Sequence, residues 1–258
     1  CNRLVGRGQE TCPYCGARNP TLWGLAPMLR RFGQDLGFVE LVIGACGLLF
    51  LLALARDFPV LGIKALMRPS PETLLKLGAS GLYPVVALDR WWTLLSAGWL
   101  HGGLLHIFFN LMWVRQLAPV VAEAYGAARM VIVYVLSSLV GFVFSTFGSK
   151  VPILDAILRF GSRGAGLTVG ASAAIFGLMA ALIYYGRKRG PAHLTPQLWS
   201  WAIFVFVMGY VIPGVDNWAH LGGFVGGWLV AMILDPFKPE RLNHLVLALV
   251  LLLLSAVS

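Results

Sequence analysis

The sequence predicts an all-α membrane protein, a helical bundle of six spans followed by one further apolar run. Three observations predict it. Hydrophobic residues fill 58% of the 258 positions and charged residues only 12%, where a soluble domain carries about 25% charged residues. Mean hydropathy is +0.78, and the 30 glycines suit membrane helices, which hold more glycine than soluble ones. The apolar residues fall in helix-length runs, with no sustained period-2 alternation of the kind a membrane β-barrel needs. The net charge of +9 matches anionic lipid headgroups. It does not indicate nucleic acid, because the basic residues sit in short loops between apolar runs and not along one polar face.

The chain opens on a polar segment, residues 1–27, that carries Cys12-Pro13-Tyr14-Cys15-Gly16. No cleavable signal pattern precedes the first apolar run. A C-x-x-C knuckle in a reducing compartment reads as metal-binding and not as a disulfide. A closed zinc site needs four ligands; Cys1 is a candidate third, while Cys46 lies inside the first span and out of reach. The segment resembles a zinc ribbon whose first knuckle lies ahead of Cys1. A redox dithiol is the alternative, but no thioredoxin-like βαβ pattern surrounds it. Residues 28–35 read as a linker, and residues 36–258 as one polytopic membrane domain.

The spans follow in order: residues 38–54, 99–117, 128–147, 169–185, 198–211 and 218–233, with a last run at 245–257 that reads as a seventh helix. Several are shorter than the roughly 20 residues expected of a span, so loop residues must extend them or the bilayer must thin. Basic residues orient the bundle. Arg30 and Arg31 flank the first span, and Arg187, Lys188 and Arg189 follow the fourth. With these on the inside, the N-terminus is cytoplasmic, and the expected location is multi-pass in a bacterial plasma membrane. The outer loop 56–92 contains Pro59, Pro69, Pro71 and Pro84 and an amphipathic piece at 71–77, which either lies in the interface plane or is solvated. No internal repeat is evident, so the inverted-repeat signature of many transporters is missing.

Polar residues inside these runs are few, and such residues are costly and usually functional. The fourth span begins Gly170-Ala171-Ser172-Ala173-Ala174-Ile175-Phe176-Gly177, and the sixth Ala219-His220-Leu221-Gly222-Gly223. The second carries His106 and Asn110, with His101 before them. All three helices enter from the same side, so these residues share one shallow depth on the extracytoplasmic side. A lone membrane serine commonly bonds its own i−4 carbonyl, and a lone histidine is commonly a packing residue. Three separated segments agreeing on one depth outweigh those readings.

Ser172 needs a base to take its proton. His101, His106, His220 and His244 are the histidines in or beside spans, and His220 is the best placed. Gly223 and Gly227 follow it at i+3 and i+7, a stripe that lets two helices approach closely, and the fourth span answers with small residues. Phe176 sits one turn below Ser172, where it can stack on the imidazole. His106 and Asn110, at i and i+4 on one face, are candidate donors to a developing oxyanion, together with the Ser172 backbone N–H in the first turn of its helix. Asp216 precedes His220 by four residues, but lies in a turn-rich segment and reads as a loop carboxylate. The G-x-S-x-G elbow is not matched, since Ala174 occupies its last position.

These motifs, in this order over residues 85–233, resemble the rhomboid intramembrane serine proteases. The resemblance implies a six-helix rhomboid-like core and a Ser172–His220 dyad with no required acid or cofactor. It also implies Asn110 and His106 at the oxyanion, Phe176 stacking on the base, and supporting places for Gly170 and His101. Substrates would be transmembrane proteins in the lipid bilayer, cut near the outer face. One departure is visible. Many members carry a tryptophan-arginine pair in the first outer loop, whereas here Trp92 is followed by Thr93.

Overall fold

The computed structural model describes residues 10–16, 18, 34–148, 166–188, 194–212 and 214–258. Within them run seven long helices: α1 Phe38–Leu61, α2 Leu104–Tyr125, α3 Ala127–Phe147, α4 Ser172–Lys188, α5 Leu194–Val211, α6 Asn217–Ile233 and α7 Leu242–Val257. The architecture is a six-helix bundle with an added C-terminal helix. Among the described residues, α1, α2 and α3 are long and apolar enough to cross a membrane by length and composition.

Helix limits differ from the runs of apolar residues for local reasons. α1 continues past residue 54 through Arg56 and Asp57, because Asp57 is spoken for. Its carboxylate accepts hydrogen bonds from Ser70 N at 2.5 Å, Ser70 Oγ at 2.9 Å and Thr73 Oγ1 at 2.6 Å. Ser70 in turn caps the short helix Pro71–Lys76 through Thr73 N. At its other end, α1 is satisfied by Asp35, which accepts from Val39 N at 2.8 Å; a first-turn N–H has no intrahelical partner.

α2 starts later than its apolar run. Residues Ala97–Trp99 form a 3₁₀ turn and Leu100 is extended, so His101 precedes the helix. α2 then passes through Pro119 to Tyr125. Proline removes one intrahelical bond, yet Val121, Ala122 and Tyr125 are buried against the bundle and hold the last turns in place. Gly126 alone separates α2 from α3.

α4 is the hub. Every residue from Ala173 to Ile183 is buried, and α2, α3, α5 and α6 all pack on it. At 17 residues it is only about 25 Å long. A short helix of small residues can be surrounded in this way because its neighbours reach its backbone. α1 lies outside, on α2, and α7 lies along α3. Their outward faces expose Leu48, Leu51, Leu249 and Leu253, as expected where the surroundings are lipid tails. Even-numbered helices α2, α4 and α6 begin at one end of the bundle, where α1, α3 and α5 finish.

Candidate active site

The packing of α6 positions the site. Its glycines form two seams. A Cβ at Gly222 would strike Phe144 and one at Gly226 would strike Val140, both on α3. One at Gly223 would strike the Ala173 backbone, and one at Gly227 the backbone of Gly177, both on α4. Small residues let membrane helices gain dispersion contact at close range. The result is that Ser172 Oγ lies 3.0 Å from His220 Nε2. The Phe176 ring stacks on the imidazole, with centroids 4.4 Å apart and planes at 17°. Such a ring pair contributes about 0.5–1.5 kcal/mol and restricts imidazole rotation. His220 is buried and Ser172 half-buried, so a group arriving at Oγ has room that the base does not.

The loop before Ser172 is held by backbone groups. Gly170 N donates to Ala97 O at 3.0 Å, and Thr168 and Ser80 exchange both backbone hydrogen bonds, at 2.7 and 3.1 Å. Gly170 has φ +126°, a conformation that side chains rarely adopt. A Cβ there would also lie 2.6 Å from His106 Nε2, so glycine is what admits the imidazole. His106 Nδ1 accepts from Gly102 N at 3.3 Å. A neutral imidazole that accepts at Nδ1 carries its proton on Nε2, the nitrogen that faces Gly170. Asn110 Nδ2 donates to His106 O at 2.8 Å, and its buried Oδ1 has no protein partner. His101 is buried against His106, rings edge-on at 5.2 Å.

Asp216 is engaged elsewhere. It is the N-cap of α6, accepting from Ala219 N at 3.1 Å through Oδ1, and its Oδ2 accepts from Ser145 Oγ of α3. His220 meets only its backbone, through His220 N donating to Asp216 O at 3.1 Å.

A model of the rhomboid domain matches residues 88–237, more than half of the chain. The chain belongs to the rhomboid family. With its apolar helices, this makes it an integral membrane protein. It is 31% identical over 189 residues to RHOMBOID-like protein 4 of Arabidopsis thaliana, covering 69% of this chain and 41% of that protein. It is 28% identical over 189 residues to the rhomboid protease GluP of Bacillus subtilis, covering 72% of this chain and 34% of that protein. A further relative, at 27% over 189 residues, is the inactive RHOMBOID-like protein 8 of Arabidopsis thaliana, with 71% of this chain and 49% of that one covered. The chain spans a third to a half of the length of these relatives.

Sequence reasoning missed the groups that hold the loop before Ser172 in this rhomboid. The Ala97 carbonyl and the Ser80–Thr168 pairing are backbone contacts that carry no side-chain signal. The Asp216 cap was readable, since Asp immediately before a helix is a preferred N-cap.

The N-terminal cysteines stand apart from the site. Cys12 and Cys15 are not disulfide-bonded; Gly16 N donates to Cys12 O at 2.9 Å, and Thr11 bridges to Arg18. The Tyr14 N–H hydrogen-bonds the Cys12 sulfur and, with Cys15, holds its thiol below the ordinary range. Cys1 lies outside the described residues, as does most of the 28–35 linker. Among the described residues no group of three metal-ligating side chains is gathered.

Proposed function

We propose that this chain is an intramembrane serine endopeptidase that hydrolyses peptide bonds of transmembrane proteins with a Ser172–His220 dyad. One observation carries the reading: the 3.0 Å approach of Ser172 Oγ to His220 Nε2. As Oγ attacks the scissile carbonyl carbon, His220 takes the serine proton on Nε2. The carbonyl oxygen becomes an oxyanion, met by first-turn N–H groups of α4, by His106 Nε2–H and by the Asn110 amide once it leaves His106 O. The imidazolium then protonates the leaving amine, which departs and leaves an acyl-enzyme. Water, deprotonated by His220, hydrolyses that ester and restores Ser172. With Asp216 occupied at the helix cap, the transient charge on His220 is met by the face of Phe176.

By the distribution of basic residues, the end where α2, α4 and α6 begin is extracytoplasmic and the N-terminus is cytoplasmic, in a bacterial plasma membrane. The reaction needs no cofactor. Cys12 and Cys15 supply half of a structural zinc site, which requires two more ligands, Cys1 being one candidate. An inactive relative makes a non-catalytic reading the rival; the presence of both Ser172 and His220 at hydrogen-bond distance opposes it.

Membranes carrying the native protein should label with a fluorophosphonate probe and cleave a model transmembrane substrate. Ser172→Ala and His220→Ala should lose both while remaining folded. Undiminished cleavage by either variant would overturn the dyad, and an unreactive native protein would overturn the protease reading.

A further inference from the structure

α1 stands outside the helices that carry Ser172 and His220, yet its last turns hold a buried carboxylate, that of Asp57. A carboxylate at the end of a membrane helix is costly unless donors meet it. Three donors do, and all belong to one short stretch of the outer loop: Ser70 N at 2.5 Å, Ser70 Oγ at 2.9 Å and Thr73 Oγ1 at 2.6 Å. Ser70 is set between Pro69 and Pro71, which restrict the backbone on both sides of it. It is the N-cap of the helix Pro71–Lys76, so its own N–H lies outside the helical ladder and is free to bond Asp57. A six-residue helix has little stability of its own, and its place depends on what holds it.

This stretch leads directly to the loop before Ser172. Leu77 N donates to Thr73 O at 3.0 Å and Ala79 N to Leu74 O at 2.9 Å. Ser96 Oγ donates to Gly78 O at 3.0 Å. Ser80 then exchanges backbone hydrogen bonds with Thr168 at 2.7 and 3.1 Å. Ser80 and Thr168 are both buried, where such bonds are strengthened by the low dielectric. Apolar packing follows the same route. Leu74, Ala79 and Leu100 form one buried cluster, and Leu49 of α1, Leu77, Leu167 and Val169 pack against it. Leu167 and Val169 flank Thr168 in the chain. Polar and apolar contacts therefore join the end of α1 to the residues that immediately precede Gly170 and Ser172.

We infer that Asp57 is a positioning residue for Ser172: through Ser70 and Thr73 it fixes the 70–80 segment against which the loop before the nucleophile is laid. This rests on the reading of Ser172 as the nucleophile. Hydrogen bonds to an ionised acceptor are the stronger ones, which suits a single side chain that must anchor a short helix. A misplacement of about 1 Å at a reacting group can cost roughly a hundredfold in rate, so a small drift of this segment is enough to matter.

The test compares Asp57→Leu, Asp57→Asn, Thr73→Val and Thr73→Ser in the protein in bilayers. The rate of Ser172 labelling by a fluorophosphonate reports nucleophile geometry without substrate entry, and kcat and KM are read on a transmembrane substrate. Asp57→Leu should slow labelling and kcat by about tenfold, and Thr73→Val by about threefold, with KM unchanged. Asp57→Asn should keep the native rate, because its amide oxygen can accept from Ser70 N while its N–H groups donate to the two hydroxyls. Thr73→Ser, which keeps the hydroxyl, should do the same. Glu240→Gln serves as the stability control, since Glu240 accepts from Arg129 N at the opposite end of the bundle; it should lower the melting temperature and leave labelling native. Should Asp57→Leu fail to fold, Thr73→Val and Thr73→Ser still decide the matter. A lowered melting temperature with native labelling in Asp57→Leu and Thr73→Val would overturn the proposal and leave Asp57 a purely structural anchor. Conservative variants as slow as their apolar counterparts, or equal slowing in Glu240→Gln, would overturn it too. A native protein that does not label would instead defeat the protease reading on which it rests.

Discussion

Asn110 donates its amide to the carbonyl of His106, one turn earlier on its own helix. On the proposed mechanism it would serve as an oxyanion donor by exchanging this bond for a stronger charge-assisted one. Removing a single oxyanion donor typically costs about 10²–10³ in kcat. Asn110→Ala should slow turnover by roughly that order with little change in KM, measured on a transmembrane substrate; unaltered turnover would make Asn110 a packing residue. Asp216 is the opposite case, a carboxylate near His220 that the geometry assigns to a cap. Asp216→Asn keeps an acceptor for Ala219 N and should retain most activity. Asp216→Ala should lower stability by about 0.5–2 kcal/mol, read as a lower melting temperature. A loss of activity in Asp216→Asn as deep as in His220→Ala would restore the carboxylate to a catalytic triad.

At the scale of elements, the site is a product of the α4–α6 seam. Ser172 and His220 each stand near the start of a helix, and a hydrogen bond between them requires that the two backbones nearly touch. Gly223 meets the Ala173 backbone and Gly227 that of Gly177, so either glycine is a place where one added side chain separates the helices. Gly223→Val should abolish fluorophosphonate labelling by moving His220 off Ser172, and should lower stability, since overpacking costs about 1–3 kcal/mol. A Gly223→Val protein that labels at the native rate would mean that the seam does not set the dyad distance. The opposite end of the bundle is braced by different chemistry. Arg129 donates to the carbonyls of Asp235 at 2.6 Å and Lys238 at 2.9 Å, and Glu240 accepts from Arg129 N at 3.0 Å. These bonds tie the start of α3 to the connection between α6 and α7.

Across the whole molecule, α5 is the least enclosed helix beside the site. It leans on α4, and exposes Ile203, Phe204, Val207 and Val211. It reaches α2 through Trp201 against Trp113, centroids 5.3 Å apart and edge-on. Its later part touches α6 where Gly209 lies against the side chain of Asn217, a buried amide with neither polar atom partnered. An unpaired amide holds that contact weakly. On the proposed protease reading, a substrate helix would have to unwind to offer its carbonyl to Ser172, and we propose that the far end of α5 is the side of the site that yields. In a background without native cysteines, a disulfide between paired cysteines at the ends of α5 and α2 nearest the site should block cleavage of a transmembrane substrate. Reduction should restore it. Full cleavage by the crosslinked protein would exclude entry by movement of α5.

Much of this was legible in the sequence. Apolar run length and charge spacing determined a helical membrane bundle with a further C-terminal helix, because the cost of burying polar groups in lipid acts on each span separately. Ser172, His220, His106 and Asn110 stood out because polar groups inside the apolar spans are few, and Phe176 because it sits one turn below Ser172. Helix limits were less legible. Asp57 reads as a loop residue until Ser70 and Thr73 are seen to satisfy it, and His101 reads as part of a span until the 3₁₀ turn at Ala97–Trp99 places it before one. The 3.0 Å between Ser172 and His220, the occupation of Asp216 by Ser145 and Ala219, and the grip of Ala97 on Gly170 were decided by tertiary structure alone. They depend on how closely helices distant in the chain approach, and on backbone groups that every residue shares.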